Sequence, residues 1–325
     1  MRYHFSETLG KSVRCDAREG NCPLVHGDSA DAAKQNHESM MVHSMIPTLK
    51  KSRNHPHSSI SASAEELRAR SAQVLRETPL KKLDAAQLAQ TLRHEAALLG
   101  LNAEIVDSSV DLATILHAHQ IRGNRGNFAT TPYIEHPLRN AVRLIRLGAQ
   151  DQDVIVAAVL HDTIEDGARV FMDKFHGVTD CDELTARNTL RQHINDAYGP
   201  RVLHLVDAVT NDYIADQDKS RMSTEVKNKR YHDHVAKAIE GHPGVFLVKV
   251  SDFIDNATGL YNNDIPERRH KTKKQAIKYL PVVEVFKHSM MKLNLPISER
   301  GKAVIWKQLC NTTSRLQNII NKYSN

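Results

Sequence analysis

From Ser63 onward, apolar residues return every three or four positions through segment after segment, and almost nowhere do they alternate singly with polar ones. A period near 3.6 gathers such residues on one face of a helix, whereas a half-buried strand needs a period of two. AEELRARSAQVLRE follows Ser63, with Glu66 three residues on, which is a capping-box start. DAAQLAQTLRHEAALLG closes on a glycine, and VDLATILHAHQI, PLRNAVRLIRLG, DVIVAAVLHDTIEDG, ELTARNTLRQHINDAYG, EVKNKRYHDHVAKAIEG and KAVIWKQLCNTTSRLQNIINK keep the same period. VFLVKV alone reads equally well as a strand. The expected fold class is therefore all-α.

The first 62 residues differ from this pattern, being rich in Ser, Asn, His and Met with no sustained period, and are expected to form an irregular leader and linker. Helices packing on the core are expected over 63–110, the main domain over 111–295, and a basic helix over 296–325. No apolar run reaches the roughly 18 residues that cross a bilayer, and the start lacks the apolar centre of a signal peptide. Four dispersed cysteines do not make a disulfide framework. Together these point to a cytoplasmic protein without a membrane partner. In the leader, Cys15, Cys22, His26 and His37 have metal-binding chemistry, but a C-x6-C spacing is looser than zinc sites favour, and free thiols are the preferred reading.

The net charge of +6 is unevenly placed, because residues 266–325 hold 13 Lys or Arg against 3 Glu. Such a face suits nucleic acid or phosphate. A solvated helix surface explains it as well and is preferred, since a single Trp and few aromatics give little for bases to stack on. Nothing in the sequence sets an oligomeric state.

One stretch breaks the apolar logic. In AAVLHDTIEDG, His161, Asp162, Glu165 and Asp166 follow directly on a buried-looking run. Burying such groups without partners costs several kcal/mol. On one helix, His161 and Glu165 are four apart and so are Asp162 and Asp166, which makes two adjacent rows facing one cavity. Imidazole with carboxylate suits Mn, Fe, Zn or a similar divalent ion, and a second acidic pair one turn on suits the handling of water.

Four ordered blocks extend this pattern: HAHQIRGNRGNFATTPYIEHPL, LHDTIEDG, INDAYGPRVLHLVDAVTN and KVSDFIDNATGL. Together, from about Leu112 to Leu293, they resemble the HD phosphohydrolase superfamily, and within it the hydrolase domain of the RelA/SpoT alarmone enzymes. The resemblance implies an HD-domain helical bundle in which His136, His161, Asp162 and Asp252 bind the metal. Glu165 and Asp166 then orient or activate the attacking water, and Arg122 and Asn256 line a nucleotide pocket. It also implies Mn(II), or another divalent ion, and loss of the 3′-pyrophosphate from (p)ppGpp or a related alarmone such as (p)ppApp. With about 30 residues after the HD region, a stand-alone small hydrolase is expected.

The chain departs from the resembled pattern in three places. GNRGNFATT stands where a shorter Lys-Ser-Gly-Glu sequence is usual, Ala208 stands for a Gly, and Asp255, Thr258 and Gly259 occupy positions expected to cradle the nucleotide. The alternatives to an alarmone hydrolase are therefore an HD phosphohydrolase for another nucleotide, or a protein whose basic C-terminal helices bind nucleic acid or a partner.

Overall fold

The computed structural model describes residues 3–6, 11–14, 26–27, 63–125, 128–260 and 268–323. The chain divides into two compact units, Met1–Leu83 and Asp84–Asn325. In the first, three short strands, β1 (Tyr3–Ser6), β2 (Lys11–Arg14) and β3 (His26–Gly27), form an antiparallel sheet in the order β2-β1-β3. The expectation of an irregular leader thus meets a small sheet. Cys15, Cys22 and His37 lie outside the described residues, and of His26 only the backbone is described. Helix α1 (Ala64–Glu77) begins with the expected capping box, Ser63 and Glu66 each receiving the other's backbone N–H.

The second unit is a helical bundle. Its first helices are α2 (Ala85–Leu98), capped by Asp84 with Gln87, and α3 (Ala103–Leu116), capped by Asn102. An antiparallel hairpin of β4 (Ile121–Arg125) and β5 (Phe128–Pro132) follows, pairing Arg122 with Thr131. This hairpin occupies the GNRGNFATT insertion, which has the glycines of a turn but no apolar alternation to announce strands. The all-α class holds around it.

Helices α4 (Glu135–Arg146) and α5 (Gln152–Leu160) form the centre. Residues 154–160 of α5 have no exposed surface, as expected of a helix that is apolar all round. Each such Val, Leu or Ile contributes roughly 1.5–3 kcal/mol by leaving water. Around α5 pack α3, α4, α9 (Pro200–Val209) and α12 (Pro243–Gly259). The ambiguous VFLVKV lies inside α12 and is helical. With Val245 to Val250 all buried, its apolar character reports burial on every side, not a sheet.

The expected single helix through HDTIED is instead broken. Helix α5 stops at Leu160, α6 covers only Thr163–Asp166, and α7 restarts at Ala168–His176. Side chains intervene at the break. His161 Nδ1 meets the Ala158 carbonyl at 2.9 Å and the Thr163 hydroxyl donates to the Leu160 carbonyl at 2.6 Å, so local side-chain bonds compete with the backbone ladder.

The chain continues through α8 (Glu183–Tyr198), α10 (Asp216–Arg221) and α11 (Thr224–Ile239), and ends in α13 (Arg269–Lys292) and α14 (Glu299–Lys322). In α14 the residues Val304, Ile305, Leu309, Leu316 and Ile319 are buried at helical spacing. Its start sits so close to the turn after α4 that a Cβ on Gly301 would lie 2.0 Å from the Leu147 carbonyl oxygen. The basic C-terminal helix is thus anchored as a structural element. No helix among the described residues is long and apolar enough to cross a membrane.

Candidate metal centre

Three distant stretches of chain meet at one point. His136 enters from the first turn of α4, His161 and Asp162 from the break between α5 and α6, and Asp252 from the middle of α12. His136, His161 and Asp162 each offer a ligand atom within 4.8 Å of the others. Asp252 Oδ1 lies 3.1 Å from His136 Nε2 and 3.8 Å from His161 Nε2. His136 Nε2 is also 3.7 Å from Asp162 Oδ2. Both rings are buried, while Asp162 keeps partial access to solvent.

His161 Nε2 is the atom that tests whether a cation fits. It is buried and has no hydrogen-bond partner, although Asp162 Oδ2 stands 3.0 Å away, off the hydrogen-bonding direction. A divalent ion shared by two imidazoles and adjacent carboxylates satisfies that atom and matches the donor chemistry.

The electrostatics agree with such a role. Burial works against a charged His161 ring, but Asp162 and Asp252 outweigh it and raise its pKa to about 10. Burial, helped by the Arg122 charge, holds His136 below its ordinary value. Desolvation alone would lift Asp162 and Asp252. His161 pulls the first below the usual carboxylate range, and Lys249, 3.4 Å from Asp252 Oδ2, together with His136 pulls the second well below it.

Each of the four is oriented by a further group. Tyr133 OH donates to Asp162 Oδ2 at 2.6 Å, and Asn256 Nδ2 donates to Asp252 Oδ1 at 2.5 Å. His136 Nδ1 meets Asp255 Oδ2 at 2.8 Å, and His161 Nδ1 meets the Ala158 carbonyl. Arg122 Nη2 donates to Asn256 Oδ1, and its guanidinium lies 5.2 Å from the Tyr133 ring centre. The two candidate substrate residues, Arg122 and Asn256, are therefore together at the centre's edge.

The acidic pair divides. Glu165 Oε2 accepts from the Asn211 backbone N–H at 3.1 Å and from its side chain at 2.7 Å, so this carboxylate is tied to the chain after α9. Asp166 has no such anchor and sits at the mouth, open to solvent on one side. Crowding by the surrounding chain, then the charges of Asp162 and Glu165, push its carboxyl up to about 7.

Sequence reasoning passed over several residues here. Tyr133, inside the PYIEHP block, received no role, and neither did His117, whose buried ring lies 4.8 Å from that of Tyr133. Lys249 sits one turn before Asp252, and a lysine in so apolar a helix was the available signal. Asp255, expected among the nucleotide-cradling positions, is 2% exposed and lies beneath His136. Thr258 spends its hydroxyl on the Ile254 carbonyl.

The profile of the HD domain family matches residues 109–279, which spans the hairpin, all four converging residues and most of the bundle. The chain belongs to the HD domain family. Among curated proteins, the chain is similar to guanosine-3′,5′-bis(diphosphate) 3′-pyrophosphohydrolase of Aquifex aeolicus, 29% identical over 204 residues, covering 62% of this chain and 24% of that protein. It is also similar to the guanosine-3′,5′-bis(diphosphate) 3′-pyrophosphohydrolases MESH1 of Mus musculus and Homo sapiens. Both are 30% identical, over 50% and 52% of this chain and 73% and 76% of theirs. The chain thus spans about a quarter of the bacterial relative and about three quarters of the animal ones.

Proposed function

We propose that this HD domain protein is a metal-dependent phosphohydrolase that removes the 3′-pyrophosphate of (p)ppGpp or a closely related alarmone. The observation that carries this reading is the convergence of His136, His161 and Asp162, with Asp252 beside them, around a buried imidazole nitrogen lacking a partner. The names of the similar proteins supply the substrate class.

In this reading His136, His161, Asp162 and Asp252 hold the ion, Mn(II) or another divalent metal. When bound, the ion lowers the pKa of water and neutralises charge at phosphorus. Asp166, exposed at the mouth with a carboxyl near 7, accepts the proton of the attacking water, as a group whose pKa lies close to working pH does best. Glu165, anchored by Asn211, keeps that mouth acidic and fixes its shape. Arg122 and Asn256 receive the nucleotide, Arg122 having a buried Nη1 without a hydrogen-bond partner in this structure. Water attacks the phosphorus next to the ribose 3′ oxygen. That P–O bond breaks, and the products are pyrophosphate and a nucleotide with a free 3′-hydroxyl.

Cys181 and Cys310 are free thiols, in keeping with a cytoplasmic setting. The test is pyrophosphate release by the full chain with added Mn(II), across ppGpp, ppApp, nucleoside triphosphates and monophosphates. Release from the 3′-diphosphates is expected. No release from either alarmone would refute the proposal.

A further inference from the structure

Asp255 stands apart from the other acidic groups of the centre because its oxygens face away from them. Oδ2 is 2.8 Å from His136 Nδ1, the ring nitrogen opposite the one that faces Asp252 and Asp162. Oδ1 accepts from Arg139 Nε at 3.1 Å and from Arg143 Nη2 at 2.9 Å, and Arg139 Nη2 reaches Oδ2 at 3.3 Å. Both arginines are buried and ride on α4, the helix that carries His136, at three and seven residues beyond it. They are held in turn: Arg139 Nη1 donates to Glu135 Oε2 at 3.1 Å, and Arg143 Nη1 donates to Asn140 Oδ1 at 2.8 Å and the Ser251 carbonyl at 3.0 Å. Arg139, Arg143, Glu135 and Asp255 balance in formal charge, so α4 and α12 can bring them together in the interior.

The arrangement dictates what His136 presents to the centre. An ionised carboxylate has no proton to give, and both ring nitrogens face one, Nδ1 at Asp255 Oδ2 (2.8 Å) and Nε2 at Asp252 Oδ1 (3.1 Å); a cation held between Nε2 and Asp252 takes the place of a proton there, which leaves Nδ1 as the donor. A neutral imidazole with its proton on Nδ1 has a bare Nε2, and that lone pair is what a cation needs. We propose that Asp255, clamped by Arg139 and Arg143, is a positioning residue that holds His136 as the Nδ1–H tautomer and aims its Nε2 lone pair at the metal. This rests on the metal reading of the previous subsection. It also assigns Asp255 to the metal half of the site, not to the nucleotide.

A purely structural counter-ion to two arginines would make no demand on the tautomer or on metal affinity, so both are the readouts. Mn(II) alone is titrated into the full chain, followed by the EPR signal of the free ion, for the unmodified protein, Asp255→Asn and His161→Ala. The amide of Asp255→Asn presents N–H as readily as C=O and carries no charge. Mn(II) affinity is therefore expected to fall about 10- to 100-fold, the range typical for lost partners of a ligating histidine. Native Mn(II) affinity in a folded Asp255→Asn protein overturns the inference while leaving the metal reading intact. Failure of the unmodified protein to bind Mn(II) any better than His161→Ala overturns the metal reading, and the inference with it. Because Asp255→Asn strips a partner from two buried arginines and can fail to fold, a second measurement uses the unmodified chain. In 15N-histidine NMR of the Zn(II)-loaded protein, the signals absent from His136→Gln identify His136. A proton on Nδ1 with Nε2 at the ligated shift is expected, and a proton on Nε2 overturns the proposal.

Discussion

At the floor of the site each candidate ligand is held by a group that is not itself a ligand, whereas at the rim Arg122 and Asn256 hold each other. His136 leans on Asp255, Asp162 on Tyr133, Asp252 on Asn256, and His161 on the Ala158 carbonyl. Helices fix most of these partners, so the floor is ready before any ligand arrives. The rim rests on the β4–β5 hairpin and on one side-chain pair that can exchange its mutual bond for bonds to substrate. A preorganised floor with an adaptable rim separates two tasks, holding charge for chemistry and choosing a nucleotide. Asn256 joins them, because it bonds both Arg122 and Asp252.

Breaking the floor should have the largest effect. His161→Ala and Asp162→Asn are each expected to remove measurable hydrolysis and weaken Mn(II) retention while far-ultraviolet circular dichroism stays native. Full activity in either with Mn(II) added would place the metal elsewhere.

The acidic pair lies between floor and rim and should show a smaller, divided response. Asp166→Asn, alone or with Glu165→Gln, is expected to keep near-native metal content and lose about 100-fold in turnover, the low end for a general base. Glu165→Gln alone should lose less, since its amide oxygen still accepts from Asn211. Equal losses in the two single variants, measured by steady-state kinetics, would erase the division of roles.

At the rim, Arg122→Ala is expected to raise KM about 10- to 30-fold, the worth of a charged hydrogen bond of about 1.5–2 kcal/mol, with Mn(II) affinity unchanged. A large loss of Mn(II) binding would merge rim and floor into one unit.

The gentlest test is pH. The cation must displace the proton that Asp162 and Asp252 hold on His161 up to about pH 10. Below that value each cation bound releases one proton, so apparent affinity should rise about tenfold per pH unit and fall as pH drops. Calorimetry in buffers of different ionisation enthalpy counts the proton. A pH-independent affinity with no proton released would show that His161 is already neutral in the metal-free protein.

Some of this organisation is plain in the sequence. The capping box at Ser63 and the apolar run of α5 announce their helices because both signals lie within a few residues of one another. HDTIED announced metal chemistry because four titratable groups behind a buried run need compensation. The break at His161 did not show, since it depends on which carbonyls two side chains reach once packed. Nor did the hairpin at Ile121–Pro132, whose strands lack apolar alternation.

By itself, then, the sequence determined an α-helical chain, an HD-type set of candidate ligands and the order in which they occur, because helix period and short motifs are local properties. The tertiary structure decided their partners. Asp255 is 119 residues from His136, and Asn256 is 134 from Arg122. Whether a buried aspartate steadies a histidine or faces a nucleotide depends on which helix packs against it, and packing of α4 on α12 is a long-range outcome of burying both apolar faces at once.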